Sequence, residues 1–488
     1  MSMKALGKAR KIVATIVFIA FALLFCSVPI PGLENLAAVQ IGPAILAGSV
    51  VFLLVQALVA GIFGRVYCSL LCPLGITQDI IGLLRKKCGF KPRSTNRFVR
   101  FGILAIFAAS LLSGYLVVYN AIDPYSAFGR IANVLFAPLF ATATELFVRC
   151  ANFLDFPIAI HRDEVFTSWA VLVVAASSLA LLIWFVLKDG REWCNYCPVG
   201  TLLGFFAQKS LFRIRLDEAK CVSCGICQKN CKTGCIDIHQ KKVTNERCVA
   251  CLECVAICPK NALTYSTQPF HEAAQITSSH RGSFISSLIP GVVLAGIMAS
   301  EAQAAEKKTV QREEKREPPQ RQNPIIPPGS VSMERYLRHC IGCQLCVSAC
   351  PNNVLISESY SSGLLQPVLS FERGYCRPNC NKCGELCPAG AIQAFSVKDK
   401  PDIRLGLASI TRERCIINRD KLPCTACQRI CPQEAISLKI VSDADNDIKQ
   451  PFVDAEKCIG CGACEYVCPS RPIAAIAVNG FEVHKNMI

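Results

Sequence analysis

Thirty-two of the 488 residues are cysteine, and most of them fall into one repeating pattern. Three cysteines spaced by two residues, a fourth three further on and usually a Pro make the loop that wraps a 4Fe–4S cube. Three thiolates reach three corners, and the fourth starts the next segment and ligates the neighbouring cluster. Pro after the fourth cysteine suits the first turn of a helix, where its missing N–H is not needed. The pattern occurs at Cys221, Cys224, Cys227 and Cys231, and again at Cys248, Cys251, Cys254 and Cys258. It recurs at Cys340, Cys343, Cys346 and Cys350, then with a stretched first spacing at Cys376, Cys380, Cys383 and Cys387. The last two are Cys415, Cys424, Cys427 and Cys431, also with a stretched first spacing, and Cys458, Cys461, Cys464 and Cys468. Pro259, Pro351, Pro388, Pro432 and Pro469 each follow a fourth cysteine, whereas Lys232 stands after Cys231. Six motifs predict six 4Fe–4S clusters, with Cys258 completing the first tail cluster and Cys231 the second. Zinc sites use two separated ligand pairs, and disulfide scaffolds of this density are short and secreted, so neither competes.

Four further thiols come as pairs. Gly64-Arg65-Val66-Tyr67-Cys68 leads to Cys72-Pro73-Leu74-Gly75, and Gly190-Arg191-Glu192-Trp193-Cys194 leads to Cys197-Pro198-Val199-Gly200. Each follows an apolar run, so the two stretches read as an internal repeat. Cys68, Cys72, Cys194 and Cys197 could share one metal or cluster, or serve as structural or redox-active thiols. Cys26, Cys88, Cys150 and Cys235 read as ordinary thiols outside the pattern.

The elements that must position these thiols are of two kinds. Hydrophobic residues make up 52% of the chain and charged residues 18%, which is too apolar for a soluble enzyme and excludes disorder. Apolar runs at 12–30, 43–64, about 101–122 and about 165–187 each approach the roughly 20 residues that cross a bilayer. The run 131–149, with Pro138 and Glu145 inside it, reads as a helix at the interface or packed on the bundle. The loop 65–100 holds Arg65, Arg85, Lys86, Lys87, Lys91, Arg93, Arg97 and Arg100 against Asp79 alone, which places it and the N-terminus in the cytoplasm. The expected organisation is a four-span α-helical membrane domain over 1–187 and a cytoplasmic two-cluster domain over 188–265. A signal-like fifth span over 266–300, a Pro-rich linker over 301–330 and a four-cluster domain over 331–488 follow. Both cysteine-rich domains are expected to be α+β and ferredoxin-like, with short strands between cysteine loops.

Several chemistries are excluded. There is no Cys-x-x-Cys-His for haem attachment, no Gly-x-Gly-x-x-Gly and no P-loop. All six His residues fall outside the four spans, which argues against a bis-His haem in the bundle.

Residues 1 to about 265 resemble the membrane subunit of quinol dehydrogenases in periplasmic nitrate reductase systems, through Cys68/Cys72-Pro73, Cys194/Cys197-Pro198 and the two following motifs. Residues from about 327 resemble the polyferredoxin partner of the same systems, through Pro327-Pro328-Gly329, Glu334, Cys340 and the long Cys415-to-Cys424 spacing. The chain therefore looks like a fusion of two subunits. That partner is normally exported behind a twin-arginine signal. Here Arg281 and Ala302-Gln303-Ala304 flank an apolar run, as in a signal that has become a span. The resemblance implies a bacterial inner-membrane protein whose C-terminal domain is periplasmic if that run spans, and cytoplasmic if the run is a buried or interfacial linker. It also implies nested pairing of the four C-terminal motifs, first with fourth and second with third.

The function implied is oxidation of quinol from the quinone pool, with single electrons passing to a periplasmic acceptor such as a c-type cytochrome or reductase. Asp123, Tyr125, His161 and Asp163, at the expected periplasmic edge, are the candidates for a quinol site; interfacial anchoring and a loop ion pair are the plain alternative. A different class of function is an electron-supplying maturation factor whose cysteine pairs bind a metal such as copper. A third is a wiring subunit with no substrate site of its own.

The formal charge of +16 points first to nucleic acid or to a membrane surface. Each cluster with its four thiolates carries roughly −2, so six clusters bring the total to roughly +4. The remaining excess of base lies in the cytoplasmic loops, where it orients spans, and gives no reason to expect nucleic acid.

Overall fold

The computed structural model describes residues 3–28, 30–83, 96–153, 169–267, 316–358, 364–443 and 446–485. Cys88, His161, Asp163, most of the expected fifth span and half of the linker lie outside the described residues. Residues up to Thr267 and from Arg316 onward form one compact unit.

The first half is helical. Its long helices are α1 (Met3–Phe25), α2 (Val50–Phe63), α3 (Pro73–Leu83), α4 (Arg97–Ser113) and α5 (Leu116–Ile122). They are followed by α6 (Pro124–Phe153), α7 (Trp169–Asp189) and α8 (Pro198–Ala207). Two of these, α6 and α7, are long and apolar enough to cross a membrane. Large apolar side chains face outward along the bundle, among them Ile16 at 60% exposure, Leu54 at 64% and Leu146 at 64%. A lipid environment would cover them.

One expectation is extended and one corrected. The segment 131–149 is helical and belongs to a helix packed on the bundle, one of the two readings, but it is the interior of α6, which runs for 30 residues with Pro138 inside it. Its first turns, from Pro124 to Asn133, are buried, which anchors the helix in the bundle. The run 101–122 is not one helix. It breaks at Gly114, which caps α4 in the left-handed conformation at φ 76°.

The helix α1 joins the two cysteine-rich regions. Near its start Leu6 packs on the core of the first region, and further on Lys11 pairs with Glu253 at 3.3 Å. At its end Phe25 packs against Gly129, and Ser27 donates to the Ser348 carbonyl at 2.6 Å. The two regions thus contact opposite ends of a helix about 34 Å long. Phe18, Phe21, Phe25, Tyr125, Phe128 and Phe136 stack edge-on between α1 and α6 and fix that packing.

Both cysteine-rich regions are built from two-stranded antiparallel pairs and short helices. In the first, Arg213–Leu216 pairs with Leu263–Ser266. In the second, Leu355–Glu358 pairs with Gln366–Leu369, Arg404–Ile410 with Ile476–Lys485 and Ile436–Asp443 with Asn446–Val453. The end of the expected linker belongs to this second region rather than hanging free. Arg321 pairs with Glu465 at 2.5 Å, and Ile325 and Ile326 are fully buried.

Candidate iron–sulfur sites

The repeated membrane loops meet face to face. Pro73 and Pro198 open α3 and α8, so each loop delivers its second cysteine at a helix start. Arg65 of one loop donates to the Cys194 carbonyl of the other at 2.7 Å, and Arg191 returns the bond to the Cys68 carbonyl at 2.8 Å. The exchange needs two glycines. A Cβ on Gly75 would lie 2.5 Å from the Cys68 carbonyl oxygen, and one on Gly200 would lie 2.3 Å from the Arg65 guanidinium. The result is a cavity lined by Cys68, Cys72, Cys194 and Cys197 together with Arg65, Tyr67 and Pro124.

Charge shapes this site. Arg65 and Arg191 are both 1% exposed. Arg191 forks onto Asp79 at 2.7 and 2.8 Å. Asp79 also takes Lys232 at 3.0 Å and Arg10 at 3.7 Å. Its carboxyl is held far below the usual range, against the effect of its own burial, by Arg191 first and then Lys232. Arg65 has no carboxylate partner among the described residues; its neighbours are backbone carbonyls and the Cys68 sulfur at 3.8 Å. A buried guanidinium without a counter-ion is costly, and thiolates in the cavity would neutralise it.

The remaining thiols gather in six further sets. Cys258 lies with Cys221, Cys224 and Cys227, as the ligand exchange predicts. Cys231 lies with Cys248, Cys251 and Cys254 around a second cavity. Cys235 lines the same cavity, with its sulfur 3.4 Å from that of Cys231. In the C-terminal region Cys387 joins Cys340, Cys343 and Cys346. Cys350 joins Cys376, Cys380 and Cys383. Cys468 joins Cys415, Cys424 and Cys427, and Cys431 joins Cys458, Cys461 and Cys464. The motifs therefore exchange ligands first with second and third with fourth. The nested pairing is wrong, because each fourth cysteine reaches only the neighbouring loop within its own half.

The thiols fit a cluster better than a single ion. Among the described residues no group of three or more His, Cys, Asp or Glu side chains closes on a point that would hold one metal ion. They line open cavities instead, as ligands of a polynuclear core must. Backbone N–H groups also point at the fourth cysteines. Ala262 donates to Cys258, Cys235 to Cys231, Ile392 to Cys387, Ala435 to Cys431 and Ala475 to Cys468, all at 3.3–3.4 Å. Such bonds stabilise charge on sulfur and tune cluster potential. Burial disfavours free thiolates at several other ligands, pushing Cys340 and Cys461 up to about 12 and Cys427 to about 11.

The sets follow one another. Cys227 of the first tail set lies within electrostatic reach of Cys254 of the second. Cys251 of the second faces Arg191, which also faces Cys194 of the membrane site. Pro124 lines the membrane site, and its neighbour Tyr125 faces Cys343 and Cys387. Cys346 then faces Cys383, the Cys376 N–H donates to the Cys461 carbonyl at 3.0 Å, and Cys464 faces Cys427.

Asp123 and Tyr125 are 0% and 1% exposed, at the junction between the membrane site and the first C-terminal set. Asp123 accepts from the Ser126 N–H and hydroxyl at 2.8 Å. Its other oxygen, the Tyr125 hydroxyl, Asn120 Oδ1, Arg130 Nε and Nη1 and Asn133 Nδ2 are all buried without a protein partner. Asn120, Arg130, Asp79 and the two repeat arginines were not singled out from the sequence. The arginines carried a signal, since they recur at the same offset from the cysteines in both halves of the repeat.

The family described as a 4Fe–4S binding domain matches residues 44–91 and 169–217, the two membrane loops, and another of that description matches 241–264 and 337–356. A 4Fe–4S dicluster domain matches 422–471. The chain is 28% identical over 256 residues to the ferredoxin-type protein NapH of Haemophilus influenzae, covering 50% of this chain and 76% of that protein. It is 33% identical over 144 residues to the methylamine utilization ferredoxin-type protein MauM of Methylophilus methylotrophus, covering 28% and 63%. It is 32% identical over 146 residues to the ferredoxin-type protein NapG of Escherichia coli, covering 28% and 63%. The chain joins a NapH-like region to a NapG- and MauM-like polyferredoxin region. The NapH-like region is about half the chain, and multiple 4Fe–4S clusters are its business and that of the polyferredoxin region alike. The chain spans less than two thirds of the length of MauM and NapG. No solved structure matches it.

Proposed function

We propose that the protein is a membrane-bound electron carrier that oxidises quinol and passes electrons singly to an acceptor at the far end of its polyferredoxin region, such as a c-type cytochrome or reductase. The observation that carries this reading is continuity. Seven thiol sets follow one another without a break, and the set at Cys68, Cys72, Cys194 and Cys197 stands between the tail and the polyferredoxin. When bound, a 4Fe–4S group takes up and returns one electron at a time.

The chain's own residues supply the rest. The cysteine thiolates hold seven groups in this reading, one more than the sequence motifs alone predict. Arg65 and Arg191 offset the negative charge of the membrane set. A quinol releases two protons as well as two electrons, so its site needs a proton acceptor beside a one-electron acceptor. The free oxygen of Asp123 can take a proton, and the Tyr125 hydroxyl beside it can hydrogen-bond a quinol oxygen, between two thiol sets. His161 and Asp163 lie in the segment before α7 and outside the described residues. Four membrane-crossing passages and the expected fifth over 266–300, with the N-terminus cytoplasmic and the polyferredoxin periplasmic, are part of this reading. The contacts at opposite ends of α1 support it. A copper-binding maturation role is less favoured, because the membrane thiols surround a cavity rather than converge on an ion.

The test is to add menaquinol or ubiquinol analogues to anaerobic holoprotein in detergent and follow the iron–sulfur absorbance. Bleaching is expected with one of them. Absence of bleaching under every quinol rejects the reading. A Cys68→Ser variant should block the transfer while the six motif clusters stay in place.

A further inference from the structure

We infer that the face around Cys224 is a docking port where an acidic, soluble one-electron carrier exchanges electrons with the first tail set, independently of quinol. Among the described cysteines of the seven sets, Cys224 is the one that is exposed. A small apolar patch surrounds it: Val222 at 60% exposure, Ile226 at 37% and Ile257 at 42%. Exposed Lys229 and Lys260 flank that patch in the chain, as does exposed Lys220, which pairs with Asp217 at 3.2 Å.

The charge of this face is lopsided. Residues 206–267 hold ten Lys and Arg against five Asp and Glu. Two of those acids are turned inward: Glu246 pairs with Arg100 of α4, and Glu253 takes Lys232 at 2.9 Å and Lys11 at 3.3 Å. The outward surface is therefore basic even after two clusters of roughly −2 each are counted. An exposed ligand inside an apolar patch, flanked by lysines in the chain, fits a carrier with a solvent-edge redox centre and an acidic rim. The set is also the terminal one of the line on that side, where an outside partner must engage. The exchange is balanced simply: one electron leaves the carrier and is accepted at the site of Cys221, Cys224, Cys227 and Cys258, with no bond broken and no proton moved.

This proposal rests on the seven-set line but not on quinol chemistry, and two measurements separate them. Binding of an oxidised, acidic plant-type 2Fe–2S ferredoxin to full-length holoprotein in detergent is followed by interferometry. The same ferredoxin, reduced, is then mixed with the holoprotein in a stopped-flow cell. The double variant Lys229→Glu/Lys260→Glu should weaken binding and slow the transfer at least about tenfold, and raised salt should do the same to the wild type. Quinol-driven bleaching should be unchanged in that variant. Equal binding by wild type and variant, or no ferredoxin binding at low salt by a fully loaded wild type, overturns the port. Selective capture of anionic over neutral vesicles by the same lysines, with ferredoxin unbound, overturns it in favour of a lipid-facing role.

Discussion

Lys400 offers a sharp test of how this chain tunes a single thiol set. It is 5% exposed and donates to the carbonyls of Arg377 and Cys380, beside the set formed by Cys350, Cys376, Cys380 and Cys383. Burial pushes the Cys376 thiol up, and the Lys400 ammonium, hydrogen-bonded to it, opposes that shift. Reduction adds one negative charge to that set, so a nearby positive charge favours the reduced state. A unit charge about 6 Å from the centre, at an effective dielectric of about 20, contributes about 3 kcal/mol. For a one-electron couple that is about 120 mV. Lys400→Met should therefore lower the midpoint potential of this set by about 120 mV, and by about half of that if water takes the place of the ammonium. Lys400→Arg keeps the charge and should stay near the wild type. The assay is an anaerobic potentiometric titration of the holoprotein followed by electron paramagnetic resonance, with iron content measured for each variant. A midpoint within about 20 mV of wild type, or a rise, with iron content intact, refutes the electrostatic role. Loss of iron from the Met variant with retention in the Arg variant assigns the residue to holding the loop instead.

Three further outcomes follow from other buried groups. Asp79→Asn strips the counter-charge from Arg191, Lys232 and Arg10, and should cost about 3–5 kcal/mol, seen as faster hydrogen exchange around Lys232. Because the folded carboxyl is held far below its usual range, the wild type should keep this stabilisation above about pH 4 and lose it as pH falls further. An Asn variant with unchanged exchange would sink the idea. His484 is buried, and burial lowers it to about 4. The unfolded chain binds a proton near pH 6.5 and the folded one does not, so stability should fall by about 2 kcal/mol between pH 8 and pH 5. His484→Gln should flatten that slope in thermal melts, and an equal slope in both proteins rules the residue out. Cys231→Ser should retain iron at the second tail set through Cys235, whose sulfur lies 3.4 Å away, while the double Ser variant loses it. Complete loss in the single variant would make Cys235 a bystander.

The sequence by itself determined what is local. Outside the membrane pairs, three of the four thiols in each set lie within one short loop, so spacing alone marked multiple 4Fe–4S sites and the two related membrane loops. Charge in the 65–100 loop and the length of the apolar runs assigned a membrane-bound class for the same reason: both are read within one segment. Only the tertiary structure decided what depends on long-range placement. The fourth thiolate arrives from another loop, so Cys387 with Cys340, and Cys468 with Cys415, overturned the nested pairing. Lys232 looked like a weakened motif, because Pro was expected there. In the fold its ammonium bridges Asp79 and Glu253, tying the tail to the bundle. The exchange of Arg65 and Arg191 between loops, the burial of Asp123 and the position of Cys235 likewise rest on segments far apart in the chain. Such counter-charges and shared walls exist only once helices and loops have packed, and no spacing rule within one segment can contain them.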